Sequence, residues 1–227
     1  IAWRTLSWRE YTRYHRDMDA KELHELRQAL GWVNQHRRED QQEAVESLQF
    51  DHSCELVELG PDNVADDYPA FAHSFDLHKN PIILENKETI FSNHGYRYPE
   101  KYKWEWSWRS FYPVAYHFMK KIEPDAIQDD DVVVYLAEPT DNPREMIVIH
   151  IGKIENGRIV SKWGHGKENG SSTNVWSHDV EHVPDSYEDK NGNITVAYFR
   201  PDLNEIASYF LRGCEMQNRT KNTKSVS

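Results

Sequence analysis

What this chain lacks narrows it quickly. It has two cysteines, Cys54 and Cys214, in 227 residues, so one disulfide is the ceiling and a disulfide-stapled scaffold is excluded. No run of about 18 apolar residues occurs, which leaves no membrane-spanning helix to expect. There is no glycine-rich phosphate loop and no dinucleotide fingerprint, and no cofactor is expected. Positive charge is scarce: 27 Lys and Arg face 38 Asp and Glu, a formal net charge of −11. Binding to nucleic acid needs clustered Lys and Arg to neutralise phosphates, so nucleic acid and anionic membrane surfaces are both set aside as partners. No internal repeat is present. No carboxylate spacing points to a glycosidase, and Asp129-Asp130-Asp131 reads as a solvated run. The opening residues IAWRTLSWRE carry neither a signal-peptide pattern nor an initiating Met. The expectation is a soluble fragment or processed form, exported if at all by a non-classical route.

Hydrophobic residues make up 38% of the chain and the mean hydropathy is −0.86, so the surface must be very polar. Eight Trp and twelve Tyr supply much of the apolar volume. Three glycosylation sequons, at Asn169, Asn193 and Asn218, carry little weight without a secretory context.

The first 60 residues read as a helical appendage. Ser7 to Glu10 fits a capping box ahead of Trp8–Arg16. Asp19 caps a second helix with Leu23, Leu26, Leu30 and Val33 at helical spacing. Charges at Arg37–Asp40 interrupt it, and a third helix follows over roughly 41–50. Such an appendage either packs on the core or docks a protein partner through residues 1–50. Cys54, flanked by Asp51, His52 and Glu55, reads as a structural thiol, because acidic neighbours raise a thiol's pKa.

After a loop at Gly60–Asp67, Asp66 or Asp67 caps a helix with Pro69 at its first position. Lys79-Asn80-Pro81 ends it. Trp104, Trp106 and Trp108 alternate with polar residues, as in a strand or an aromatic groove for a glycan or peptide. Ser107–Lys121 reads as a helix.

Three Val- and Ile-rich strands follow, Val132–Leu136, Met146–Ile154 and Arg158–Trp163, the last two joined by an Asn156-Gly157 hairpin. A polar loop at 165–172, a short strand at Val175–Ser177, a strand at Ile194–Phe199 and a helix from Pro201 to about Arg212 complete the domain. The tail from Met216 reads as disordered. The fold class expected is α+β, with a central antiparallel sheet of about five strands. The domain division is 1–60, 61–212 and a flexible 213–227.

His150 lies within the most apolar strand, in Ile149-His150-Ile151-Gly152. It is a core histidine or a general base held on a rigid strand. The His-Ile-Gly strand, the hairpin, and Ser161 on the returning strand together resemble the NlpC-like cysteine peptidases and amidases, a papain-like group. Ser161-Lys162-Trp163-Gly164 is similar to a segment that recurs in divergent bacterial members. The resemblance implies that His150 is the base, that Ser161 orients it, and that a cysteine opens an upstream helix. The matching segment is Tyr68-Pro69-Ala70-Phe71-Ala72-His73-Ser74-Phe75, and Ala70 occupies the cysteine slot.

Alanine has no nucleophile to offer, so the copy is either naturally silent or a cysteine has been replaced. With a cysteine at position 70, the resemblance implies a thiol-dependent amide hydrolase: a peptidase, amidase or deamidase. It would act on a peptide or protein, peptidoglycan included, and a bacterial toxin or secreted effector fits by analogy. His73, Trp163 and Trp104 then line the substrate site. The alternative is a silent hydrolase fold that binds a protein or glycan. A rival chemistry comes from His178-Asp179-Val180-Glu181-His182, which fits the inverted zinc-peptidase motif H-x-x-E-H. It would need both histidines on one helical turn, and the flanking strand and Val183-Pro184 argue against that.

Overall fold

The computed structural model describes residues 18–61, 68–87, 117–137, 147–163, 174–189 and 191–224. The expected helix at Trp8–Arg16, Trp104 with its neighbouring tryptophans, most of the Ser107–Lys121 helix, and the 165–172 loop lie outside them.

Asp19 does cap the first described helix, α1 (Ala20–Val33). Its carboxylate accepts from Lys21 and Glu22 N–H while Glu22 returns the bond, a complete capping box. Leu26, Leu30 and Val33 are buried on one face. The next helix, α2, runs Arg38–Glu46. It begins earlier than the expected 41–50, with Glu39 and Asp40 favourably placed in its first turn. The strands are β1 (Glu55–Glu58), β2 (Met119–Ile122), β3 (Val132–Ala137), β4 (Ile147–Glu155), β5 (Arg158–Lys162), β6 (Val175–His178) and β7 (Thr195–Pro201). All pair antiparallel in one seven-stranded sheet of order β1-β6-β5-β4-β3-β7-β2. The class is therefore α+β. Asn156 and Gly157 form the β4–β5 hairpin with φ of 52° and 74°, the left-handed pair that a two-residue turn demands.

Each face of the sheet carries its own core. On the first lie α3 (Ala70–Ser74), α4 (Pro81–Glu85) and α5 (Leu203–Lys224). Phe71, Phe75, Ile83, Ile206 and Phe210 pack there on Val132, Val134, Val148 and Ile151. On the second lie Leu26, Leu30, Val33 and Val45 from α1 and α2, against Val133, Tyr135, Ile154, Ile159, Trp176 and Tyr198. Residues 18–60 are therefore not an appendage. They cover one face of the sheet, where Leu26, Leu30, Val33 and Val45 shield Tyr135 and Trp176 from water, and they supply its edge strand β1.

Other expectations are corrected. Met119–Lys121 is strand, not helix end, held by β7 through pairs such as Lys121 with Phe199. The helix after Pro69 stops at Ser74, and a 3-10 turn at Leu77–Lys79 follows. Asn80-Pro81 then starts α4, with the Asn80 side chain accepting from Ile82 and Ile83 N–H. Helix α5 runs through the expected stop at Arg212 to Lys224. Gly213 costs about 1 kcal/mol in a helix, but Cys214 beside it is buried at 1% exposure and anchors that turn.

Gly152 shows how tightly β4 meets β5. A β-carbon there would lie 2.5 Å from Ile159 Cγ2 and 3.1 Å from Ser161 Cβ. We predict that Gly152→Ala lowers unfolding free energy by about 1–3 kcal/mol through overpacking, read as a reduced urea midpoint at unchanged m-value.

Candidate functional site

Ala70 opens α3, with Pro69 as N-cap. Phe71, Ala72 and Phe75 enter the first core, and Ser74 Oγ donates to the carbonyls of Ala70 (3.2 Å) and Ile151 (3.3 Å). These bonds clamp the helix to β4. Around its outer side stand three near-parallel rings. Tyr68 stacks on His78 at 4.8 Å, and His78 on His73 at 4.7 Å, between centroids. The Lys162 ammonium lies 4.5 Å from the centre of the Tyr68 ring, a cation–π contact. Burial, then the neighbouring His78 and Lys162, lower the His73 pKa to about 3. Among the described residues His73 Nδ1 has no hydrogen-bond partner.

His150 is not part of that group. Tyr135 pairs with His150 and Leu136 with Val148, so Ile149 is an extra residue, a β-bulge in β4. Simple alternation from Val148 would aim His150 at α3. The bulge turns it to the second face, where its ring stacks on Tyr187 at 4.2 Å and meets Tyr135 at 5.6 Å. His150 is 4% exposed. The sheet therefore separates the imidazole from Ala70, and the expected nucleophile–base pair is not assembled.

Ser161 shares the second face but does not orient His150. Its Oγ bonds His178 Nε2 at 2.7 Å and accepts from Trp163 Nε1 at 3.1 Å. His178 Nδ1 donates to the Asp179 carbonyl at 2.8 Å, which leaves Nε2 as acceptor and the serine hydroxyl as donor. Trp163 is 1% exposed and stacks on Trp176. It is core rather than substrate wall. His73 does lie beside Ala70, though at only 8% exposure; Trp104 is outside the described residues.

The zinc motif resolves into two separate anchors. His178 ends β6, and His182 follows in a turn. His182 Nδ1 accepts from the Ser53 N–H and hydroxyl, both at 3.0 Å, and Ser53 Oγ accepts from the Asp179 N–H at 2.8 Å. The two imidazoles share no helical face, and each uses a nitrogen on a serine. Cys54, next to Ser53, is buried. Burial pushes its thiol pKa up, with Asp179 and Glu55 adding to the rise and Arg158 opposing it. It is no nucleophile. The serine partners of these histidines lie 17 and 129 positions away, beyond any local signal. A cleft of about 400 Å³ opens elsewhere on the second face, walled by Ile122, Val180, Glu181, Val196 and Tyr198.

No family model, no curated protein and no solved structure matches this chain.

Burial, opposed by the Asp179 carbonyl and carboxylate, lowers the His178 pKa to about 4. The unfolded chain takes up a proton near pH 6.5 that the folded chain refuses until about pH 4. Stability contributed by neutral His178 is thus complete above pH 6.5 and falls as pH drops to 4, at up to about 1.4 kcal/mol per unit. We predict that His178→Gln is less stable at pH 7 but loses less between pH 7 and 4 than the parent, measured by urea unfolding at each pH.

Proposed function

We propose that this chain is a catalytically silent domain of papain-like, NlpC-like descent that works by binding another protein. The observation that carries the reading is the pairing of Ala70 in the nucleophile slot with an imidazole turned to the far face. Both ends of the expected proton relay are absent from one place, and neither Cys54 nor Ser53 offers a substitute, since both are buried. The sequence pattern around His150 is then a structural inheritance: the residues now hold the β4–β5 hairpin and fill the second core.

Binding to protein, rather than glycan, is favoured by the described surface. Trp32 is 57% exposed, and Val57 and Leu59 are 54% exposed, apolar area that residues 18–60 leave uncovered. The acidic charge favours a basic partner surface. The aromatic series at Trp104 on which a glycan reading would rest lies outside the described residues. No helix among the described residues is long and apolar enough to cross a membrane.

The test restores the missing thiol. In Ala70→Cys, the half-buried position 70 should alkylate with iodoacetamide no faster than an unactivated thiol, with no acceleration around neutral pH, and the protein should release no product from amide or peptide substrates. A thiol at position 70 that labels orders of magnitude faster at neutral pH, with turnover abolished by His150→Ala, would overturn the silent-domain reading and restore the hydrolase.

A further inference from the structure

The two outer strands of the sheet carry opposite charge. At one edge β1 reads Glu55-Leu56-Val57-Glu58 and runs into Leu59; at the other β2 reads Met119-Lys120-Lys121-Ile122. Among the described residues each pairs on one side, β1 with β6 and β2 with β7. Among the described residues nothing bonds the outer backbone groups of either strand. Lys120, Lys121 and Glu58 are exposed, with no ion-pair partner among the described residues, and the Glu55 side chain is 71% exposed although it reaches Arg158. The β1 ladder is irregular between Leu56 and Glu58, and Val57 there is 54% exposed.

Charge on an edge strand is a common guard against aggregation. Here the guard works against only two of the three pairings. Two β1 edges would set glutamate against glutamate, and two β2 edges lysine against lysine. A β1 edge against a β2 edge sets unlike charges together, with Leu56, Val57 and Leu59 meeting Met119 and Ile122. Cross-strand pairs of opposite charge stabilise a sheet, and like pairs destabilise it.

We propose that β1 of one molecule docks edge to edge on β2 of a second copy, giving reversible head-to-tail self-association. Four-residue strands with one irregularity form few ladder bonds, so the association is weak and concentration-dependent. The contact joins different surfaces, so it does not close as a two-fold dimer and growth continues past two copies.

Sedimentation velocity tests this with two charge-reversed variants at exposed positions, Lys120→Glu/Lys121→Glu and Glu58→Lys. The parent is expected to show a sedimentation coefficient that rises with concentration at low salt and much less at about 1 M salt, where the Debye length is about 3 Å. Each variant alone should stay monomeric, since each reversal weakens association by about fivefold to thirtyfold. Mixing the two variants should restore association into pairs, because the unaltered β1 of the first meets the unaltered β2 of the second. That restoration also shows that both variants are folded; circular dichroism confirms it independently. A parent that remains monomeric at every concentration, variants that associate like the parent, or a mixture with no gain would each overturn the proposal. Position 70 plays no part, so the outcome is independent of the silent-domain reading.

Discussion

A single extra residue in β4 governs what the rest of this structure can do. With Ile149 inserted, Tyr135 pairs with His150 while Leu136 pairs with Val148, so the alternation set by Val148 reverses from His150 onward: His150 turns to the second face and Ile151 joins Val148 on the first. Lys153 therefore reaches Asp76 beside α3, at 2.8 Å, and His150 settles between Tyr135 and Tyr187. The stacking is self-consistent: Tyr187 sits on a 3-10 turn at Asp185–Tyr187 that packs under α1, and the Tyr135 hydroxyl donates to the Val180 carbonyl at 3.2 Å. Moving His150 back to the α3 side would empty that aromatic stack and put an imidazole among Val134, Val148 and Phe71.

The two faces are held to the sheet by different means. On the first, apolar packing is reinforced by Lys153, whose side chain is 5% exposed and bridges Asp76, Asp130 and Glu155. Burial alone would raise the Asp76 pKa, but bonds from Lys153 and Lys79 outweigh it and hold the carboxyl below its usual range. Asp76 and Asp130 both adopt positive φ, 56° and 70°, conformations that Asp tolerates better than most residues. On the second face, Arg27 of α1 does the corresponding work. It is nearly buried, pairs with Glu181 and Glu188, and donates to the Glu181 and Gly192 carbonyls. A guanidinium suits this position because its donors fan out in one plane and can satisfy several acceptors at once. These ties are why residues 18–60 belong to the domain rather than hanging from it.

Much of the scaffold was legible because it depends on short-range physics. Asp19 with Glu22 announces a helix start, Asn156-Gly157 a tight hairpin, and the Val and Ile runs the central strands. The failures have equally definite causes. Met119-Lys120-Lys121 has no strand signal of its own and is a strand because β7 offers it a ladder. His150 was expected to face Ala70 because its strand resembles that of the NlpC-like enzymes, but a bulge at Ile149 turns it to the other face, and a bulge leaves no mark in the local residue pattern. Ser161 was expected to orient His150; its partner is His178 instead, a choice made by the β5–β6 register.

What the chain determines by itself is therefore local: helix caps, turn conformations, the apolar runs and the acidic balance. Those follow from backbone preference and composition, which operate within a few residues. Which side of the sheet each side chain occupies, which histidine meets which serine, and that one edge ends in glutamate while the other ends in lysine were decided only on assembly. Register between strands is a collective property, set when both cores close against water at once, and no segment carries it alone.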